Sequence, residues 1–306
     1  MPKVFIIILN WNGWPDTIEC LSSLNKVIYD NFEVILIDNG SKEKFQIPNS
    51  KFPNLRFTQI FNDLNLGFAG GNNQGIKIAL DPPAGGRADY VLLLNNDTTV
   101  ESDFLNKLVE VAEKNKEAGI FGPMTYFYDS RTDERKTICS AGGRIIKHFT
   151  RGTLIGYKEI DSGQYGQLGE VDYISGACLL IKREVIEKIG LISEDYFLYY
   201  EDGDWCLRAR REGYQCLFVP SAKIYHKVSR SSSEFSFPYI YYHSRNGLIF
   251  ASRFGSKIFT YLFSFWFFIK QIIKILIGYK RDWAKAVMKA IIDFWRGKTG
   301  KLEGYY

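Results

Sequence analysis

Three carboxylates fall within four residues at Glu201, Asp202 and Asp204, between Tyr200 and Trp205. Crowded carboxyl groups raise one another's pKa, so one of them can serve as a base near neutral pH. Acids in the first turn of a helix also simply answer its positive end, and the cluster alone leaves both readings open. A further carboxylate, Asp97, closes the run Leu92-Leu93-Leu94-Asn95-Asn96-Asp97. An Asp that a strand delivers to a loop edge is half of a site for Mg²⁺ or Mn²⁺ held with a diphosphate, because such ions take one or two carboxylates plus phosphate oxygens. It can equally cap the next turn of the chain. Asp38 ends Val34-Ile35-Leu36-Ile37 and precedes Asn39-Gly40-Ser41. It reads as a group that meets a base or ribose, or as a turn Asp. His226, in Ile224-Tyr225-His226-Lys227, is a ligand or a buried hydrogen-bonded ring.

The stretch Asn65 to Asn73 is Gly-rich but is neither G-x-G-x-x-G nor a P-loop, since it lacks Gly-Lys-Ser/Thr. Its glycines allow a tight approach to a phosphate or sugar, or form a turn before a helix.

The elements that must hold these groups can be read from the apolar pattern. Lys3 to Leu9 and Phe32 to Ile37 are continuous apolar runs that predict buried parallel strands. Between them, Asp16 or Thr17 caps a helix carrying Ile18, Leu21 and Leu24. Arg56 to Ile60 predicts a third strand, Asn72 to Leu80 a helix, Tyr90 to Leu94 a fourth strand, and Ser102 caps a helix with Phe104, Leu105, Leu108, Val109 and Ala112 on one side. Such alternation predicts an open α/β sheet, which binds ligands at the carboxyl ends of its strands, where Asn10, Asp38 and Asp97 stand. Residues 125–172 read as a mobile or antiparallel insertion. Tyr173 to Ile181 predicts a strand, followed by a short helix closed by Gly190. A helix from Asp202 to Glu212 stops at Gly213, and Leu217 to Val219 predicts a strand before Pro220.

The chain has 306 residues and is 46% hydrophobic and 24% charged, which excludes intrinsic disorder; its 27 Gly follow no G-X-Y repeat, which excludes collagen. Its five Cys have neither CxxC nor metal-ligand spacing, so reduced thiols are expected and no structural zinc. The net charge of +5 is concentrated: residues 1–252 carry −3 and residues 253–301 carry +9. Within that basic tail, Ile258 to Ile269 is uncharged and rich in Phe, Tyr and Trp. It is too short for a clean bilayer crossing. Lys270, Lys274, Arg281, Lys285, Lys289 and Arg296 then recur at helical steps, opposite Ile272, Ile273, Leu276, Trp283, Val287, Ile291 and Trp295. That pattern predicts a helix in the interface of an anionic membrane; the alternative is a helical cap docked on the body. Nucleic acid is not the expected partner, because a run of bulky apolar side chains is a poor surface for phosphates.

Taken in order, ILNWNG (Ile7 to Gly13), IDNGS (Ile37 to Ser41), NLGFAGGNN (Asn65 to Asn73), LLLNND (Leu92 to Asp97), SGACLLIKREV (Ser175 to Val185), FLYYEDGDWCLRARREGY (Phe197 to Tyr214), IYH (Ile224 to His226) and YYHSRNGL (Tyr241 to Leu248) resemble family 2 glycosyltransferases of the GT-A fold. Within them the chain looks most like the bacterial and archaeal rhamnosyltransferase branch. The resemblance spans about residues 3 to 255.

It implies an α/β protein with a Rossmann-like, mostly parallel sheet. Residues 1–252 would form the transferase domain, with a nucleotide-sugar half at 1–115 and an acceptor half at 116–252. Residues 253–306 would be an amphipathic membrane-associating tail at the cytoplasmic face of the cell membrane. Asp38 matches the acid that contacts the pyrimidine, Asn10 lines the same pocket, and Asn65, Gly67, Asn73 and Asn96 belong with them. Asp97 matches the metal ligand of the DxD motif and His226 a second contact to Mg²⁺ or Mn²⁺. Asn95 stands where that motif has its first acid, which gives the metal one charge fewer. Asp202 matches the catalytic base, with Glu201 beside it, and Asp204, Trp205 and Arg245 fall to the acceptor side. Arg245 meets an acceptor phosphate, or else forms a surface salt bridge. The implied reaction inverts configuration as a hydroxyl of a lipid-linked saccharide takes the sugar from a nucleoside diphosphate, best matched by dTDP-rhamnose. A UDP-hexose or UDP-N-acetylhexosamine is the alternative donor, and a silent nucleotide- or saccharide-binding protein is the alternative of another class.

Overall fold

The computed structural model describes residues 1–83, 86–130, 136–146, 151–228 and 236–304. Its elements run β1 (Val4–Asn10), α1 (Trp14–Leu24), β2 (Phe32–Asp38), β3 (Phe57–Phe61), α2 (Gly67–Leu80), β4 (Tyr90–Asn95), β5 (Thr98–Val100), α3 (Phe104–Lys114), β6 (Ala118–Phe127), β7 (Ile138–Ser140), β8 (Gly143–Ile146), β9 (Arg151–Leu154), β10 (Gly169–Val171), β11 (Cys178–Lys182), α4 (Arg183–Ile189), α5 (Glu201–Arg211), β12 (Gln215–His226), α6 (Phe237–Phe254), α7 (Lys257–Leu276) and α8 (Arg281–Trp295).

The main sheet has the order β10-β12-β6-β11-β4-β1-β2-β3. Strands β4, β1, β2 and β3 are parallel, β11 is antiparallel to both neighbours, and β12 returns parallel to β6. Because successive side chains alternate across a strand, β1 feeds two cores: Val4, Ile6 and Ile8 pack on the α1 and α3 side, Phe5 and Ile7 on the α2 side. Both faces are covered, which is why the sequence of these strands is continuously apolar.

Register places the polar ends side by side. Asn10 pairs with Asp38, and Leu9 with Asn95, so the strands release their polar residues at one edge. The reversed strand β11 begins there too, with Cys178 beside Leu94, and the amide of Asn95 donates to the Ala177 carbonyl at 3.0 Å.

Several expectations are revised. Helix α2 begins at Gly67 rather than Asn72, so Gly70 and Gly71 lie inside it. A Cβ at Gly71 would stand 2.4 Å from the Leu9 side chain, and one at Gly75 2.6 Å from Ile7. These glycines therefore let α2 approach β1 closely. Gly13 and Asp103 occupy the N-cap positions of α1 and α3, not Asp16, Thr17 or Ser102. Strand β12 does not stop at Pro220; it continues to His226 across a register shift between Val219 and Lys223, where an irregularity tolerates proline. Within 125–172, residues 125–127 end β6 and pair parallel with β12, whereas β7, β8, β9 and β10 pair antiparallel, β8 and β9 forming a two-stranded sheet of their own.

The basic tail is a helical hairpin, not one continuous amphipathic helix. Gly278 (φ 76°) and Lys280 (φ 46°) turn the chain between α7 and α8. Val287 and Ile291 face inward in α8, packed with Ile240, Leu248 and Phe250 of α6. Helix α6 itself continues past residue 252 to Phe254.

Candidate active site

A cleft of about 330 Å³ opens at the carboxyl edge, lined among others by Asn12, Asn39, Asn65, Gly67, Phe68, Asn95, Asn96, Asp97, Phe197, Tyr199 and His226. Its floor is a hydrogen-bonded set of short polar side chains. Asn10 is fully buried; its Nδ2 donates to Asp38 Oδ1 at 3.2 Å and its Oδ1 accepts from Thr17 at 2.9 Å. Ser41 also donates to Asp38 Oδ1, while Asp38 Oδ2 is buried with no donor among the described residues. Asp38 is thus sealed just beneath the cleft, and an unpaired buried acceptor of this kind suits an incoming N–H. Asn39 knits the rim: its Nδ2 donates to Asn65 Oδ1 at 3.0 Å and its Oδ1 accepts from Asn62 and the Leu66 amide. Asn96 turns back to Thr17, donating at 3.0 Å.

At the other wall β12 brings His226 beside Thr98, so its Nε2 lies 3.0 Å from Asp97 Oδ1 and 3.4 Å from Asn95 Nδ2. Burial works against charge on both partners and their mutual attraction outweighs it. Asp97 is held below the ordinary carboxylate range, and His226 is pushed up to about 10. Once a cation displaces the His226 proton, one carboxylate, one imidazole and one carboxamide would make a donor set that fits a divalent cation completed by phosphate oxygens. Among the described residues no cluster of three His, Cys, Asp or Glu forms a self-sufficient metal site.

The base candidate reaches the same edge by another route. Asp202, half-buried in the first turn of α5, accepts from the Gly176 amide at 2.9 Å and the Gly203 amide at 2.7 Å. Gly176 packs against Phe68 of the cleft wall. Burial pushes Asp202 above the ordinary range, opposed by these amides. Burial, with Asp202 beside it, pushes Glu201 much further, and its Oε2 has no partner among the described residues. Adjacent carboxyls therefore differ in character: Glu201 is a buried acid, whereas Asp202 is half-buried and hydrogen-bonded, set behind the residues that line the cleft.

Residues 5–190 match the family model for glycosyl transferase family 2. The chain belongs to that family. Relatives include a low-salt glycan biosynthesis hexosyltransferase, Agl10, of Haloferax volcanii, 26% identical over 97% of this chain and 92% of the relative. An N-acetylglucosaminyl-diphospho-decaprenol L-rhamnosyltransferase of Mycobacterium tuberculosis is 24% identical over 80% of this chain and 82% of its own length. An uncharacterized protein of Sinorhizobium fredii is 29% identical over 69% of this chain, which spans only 23% of that longer protein. Among solved structures, the mannosyltransferase PcManGT from Pyrobaculum calidifontis, in complex with GDP-Man and Mn²⁺, superposes with TM-score 0.58 at 14% identity, covering 97% of this chain and 88% of that one. GalNAc-T7 with UDP, GalNAc and Mn²⁺ gives TM-score 0.61 at 15% identity over 80% of this chain and 47% of that one. The fold is accordingly GT-A.

Within this family 2 glycosyltransferase, four expected site residues face elsewhere. Arg245 is 1% exposed and donates to the carbonyls of Gly300 (2.8 Å), Asp195 and Tyr196, so it neither meets a ligand in the cleft nor forms a surface salt bridge. Asp204 is buried against Tyr196, Arg208 and Arg253. Trp205 is buried, its indole N–H donating to the Gly190 carbonyl. Asn73 clamps Ile192 through both its amide and its carbonyl. All four brace the scaffold rather than the cleft.

What they brace is the segment before α5. Phe197, Tyr199 and Tyr200 have φ of 62°, 69° and 76°, three non-glycine residues in the left-handed region, at a cost of about 1–3 kcal/mol each. Asn246 holds them: its Nδ2 donates to the carbonyls of Tyr196, Leu198 and Tyr199 at 2.8, 2.7 and 3.1 Å. Gly67, at φ 76°, fits beneath, where a Cβ would stand 2.4 Å from the Phe197 carbonyl oxygen. Sequence reasoning missed Asn246; its one visible trace was the polar pair Arg245-Asn246 inside an aromatic helix.

Proposed function

We propose that the protein is an inverting sugar transferase in which Asp202 takes the proton of an acceptor hydroxyl as that oxygen attacks the anomeric carbon of a nucleoside-diphosphate sugar. The observation that carries this reading is Asp202 itself: a half-buried carboxylate fixed by two backbone amides beside the cleft wall and raised above the ordinary carboxylate range by burial. Fixing the carboxylate aims it, and raising its pKa brings it nearer the pH at which a base works best. Asp38, with its unpaired Oδ2, accepts the imino N–H of a pyrimidine, while Asn10, Asn39 and Asn65 shape the pocket around the nucleotide. Asp97 and His226 would hold Mg²⁺ or Mn²⁺, which when bound offsets the negative charge of a departing diphosphate. One base suffices, unlike hydrolysis by the paired carboxylates of glycosidases.

The rhamnosyl relative named for a decaprenol-linked acceptor supports rhamnose as the sugar and a polyprenyl-diphosphate-linked saccharide as acceptor, with dTDP-rhamnose as the donor this reading favours. A UDP-hexose or UDP-N-acetylhexosamine presents the same imino hydrogen to Asp38. The reading places the enzyme at the cytoplasmic membrane face through α7. Incubating the full chain with Mg²⁺ or Mn²⁺ and a panel of sugar nucleotides tests it. Release of the free nucleoside diphosphate from one or two donors is expected. Nucleotide binding without turnover of any donor, with or without saccharide-lipid extract, would favour a silent binding protein.

A further inference from the structure

A second hollow, of about 410 Å³, lies where α5 and α6 end and shares no lining residue with the cleft. Arg208, Arg211 and Arg253 line it, with Asp204, Ser193 and Phe254. Neighbouring guanidinium groups repel one another unless something negative stands between them. Asp204 does this for two of the three. Its carboxylate, 1% exposed, accepts from Arg208 at 2.8 Å and from Arg253 at 3.3 Å, and Asp195 accepts from Arg253 as well. Arg208 is tied further to the carbonyls of Ile189 and Leu191.

Arg211 is different. Among the described residues no carboxylate pairs with it, yet it is held in place. One Nη donates to the Arg253 carbonyl at 3.1 Å, and the guanidinium carbon lies 4.5 Å from the centre of the Phe254 ring. A guanidinium carries five N–H donors, and that bond uses one of those on exposed Arg211. The bond also covers the last carbonyls of α6, whose negative end would otherwise oppose an anion. Three cations against the carboxylates of Asp204 and Asp195 leave the hollow with one positive charge in excess.

A stacked guanidinium with open donors binds phosphate oxygens in forked geometry. The place of the hollow in the fold says which phosphate. Phe254 closes α6, and α7 starts three residues later at Lys257, so the positive end of that long helix adjoins the hollow. Ile258, Phe259 and Leu262, in the first turns of α7, are exposed. A phosphate that carries acyl chains answers both the charge and the apolar helix, whereas a free phosphate answers only the charge. Basic pockets beside membrane helices hold lipid headgroups in this way. We propose that Arg211, with Arg208 and Arg253, binds the headgroup phosphate of an anionic phospholipid and so fixes α7 at the membrane surface. This assignment rests on the reading of α7 as membrane-associated, and not on the transfer chemistry.

The test titrates the full chain, in a neutral detergent, with short-chain dihexanoyl phosphatidylglycerol by calorimetry, and with inorganic phosphate as the lipid-free control. Wild type should bind the lipid saturably and phosphate more weakly. Arg211→Gln should weaken the lipid about tenfold or more, the loss expected of one charge-assisted contact, and Arg211→Lys should recover only part of it, because an ammonium lacks the fork. Lys270→Gln removes an equal charge from α7 and should change nothing, whereas diffuse attraction would suffer alike from both losses. Thermal melts and turnover of a water-soluble acceptor should not change in Arg211→Gln. No saturable binding to wild type, equal binding by Arg211→Gln, equal losses in Arg211→Gln and Lys270→Gln, or phosphate bound as tightly as the lipid would overturn the site. Flotation of the wild-type chain with vesicles of phosphatidylglycerol and phosphatidylcholine reports on the underlying reading. If the chain does not float, the membrane role of α7 fails separately, and the short-chain lipid still decides the pocket.

Discussion

Glu201 and Asp202 are adjacent, yet one is enclosed with an unpartnered oxygen and the other rests on two amides. The base must be deprotonated to work, and burial raises the Asp202 pKa above the ordinary value of about 3.9. Activity should therefore rise with pH through an acid limb that lies above the ordinary carboxylate range, and be lost as pH falls through it. A profile of kcat/KM against pH at saturating metal checks this, and a limb at the ordinary carboxylate position would contradict it. Asn246 supports a second prediction. Replacing it with Leu leaves three carbonyls without their donor and should cost roughly 3 kcal/mol of stability. Because those carbonyls belong to the left-handed segment before Asp202, kcat should fall more than donor KM rises; thermal melts and steady-state kinetics separate the two effects. The positions of Asp38 and Asp97 were legible in the sequence because Asp38 closes one apolar strand and Asp97 stands in the turn just past another. Arg245 was not, since its partners lie about 50 residues away on both sides, at Asp195 and Gly300.

At the scale of elements, α7 is built inside out. Ser264 is 0% exposed and accepts from the indole N–H of Trp295 at 2.8 Å, and Thr260 and Gln271 are buried with it, while Trp266 is 70% exposed amid exposed Ile258, Phe259, Leu262, Phe263 and Phe265. A helix on a soluble body shows the opposite arrangement; small polar groups facing a neighbouring helix with apolar ones facing out is the pattern of a helix in lipid. Against the reading of Ile258 to Ile269 as too short to span, the helix runs over Lys257–Leu276 and by length and composition is long and apolar enough to cross a bilayer, because Lys270 and Lys274 interrupt but do not end it. Leu262→Asp with Trp266→Asp should abolish flotation with anionic vesicles yet leave turnover of a water-soluble acceptor within about twofold, because exposed sites far from packing contacts seldom alter stability. Undiminished flotation would contradict a membrane role for this face. The hairpin escaped sequence reading because cations recur at helical steps across the turn. Gly278, which with Lys280 takes the left-handed turn, is the residue type that marks the break.

For the whole molecule, the chain's end returns to its site. After α8, the Gly300 amide donates to the Asp195 carbonyl at 2.7 Å, the Leu302 amide donates to Tyr242 at 2.7 Å, and Leu302 is buried in the cluster that contains Phe197. The tail is thus joined to the segment that lines the cleft and leads into Asp202. Removing residues 299–306, with α7 and α8 intact, should lower stability by about 2–4 kcal/mol and reduce turnover even of soluble acceptors, while vesicle binding persists. Unchanged turnover would show the tail to be a separable anchor. The parallel half of the sheet could be read from apolar runs and their polar ends, because burial on both faces writes itself into composition. Contacts such as these, between residues 195 and 300, leave no periodic trace.

The central claim is that Asp202 removes the proton from the attacking hydroxyl. The most direct measurement compares wild type and Asp202→Asn side by side, tracking sugar transfer and, by calorimetry, nucleotide binding in the presence of Mn²⁺. Transfer should fall by at least about a hundredfold, the usual contribution of a general base, with nucleotide affinity unchanged. Equal transfer by the two proteins would contradict the account.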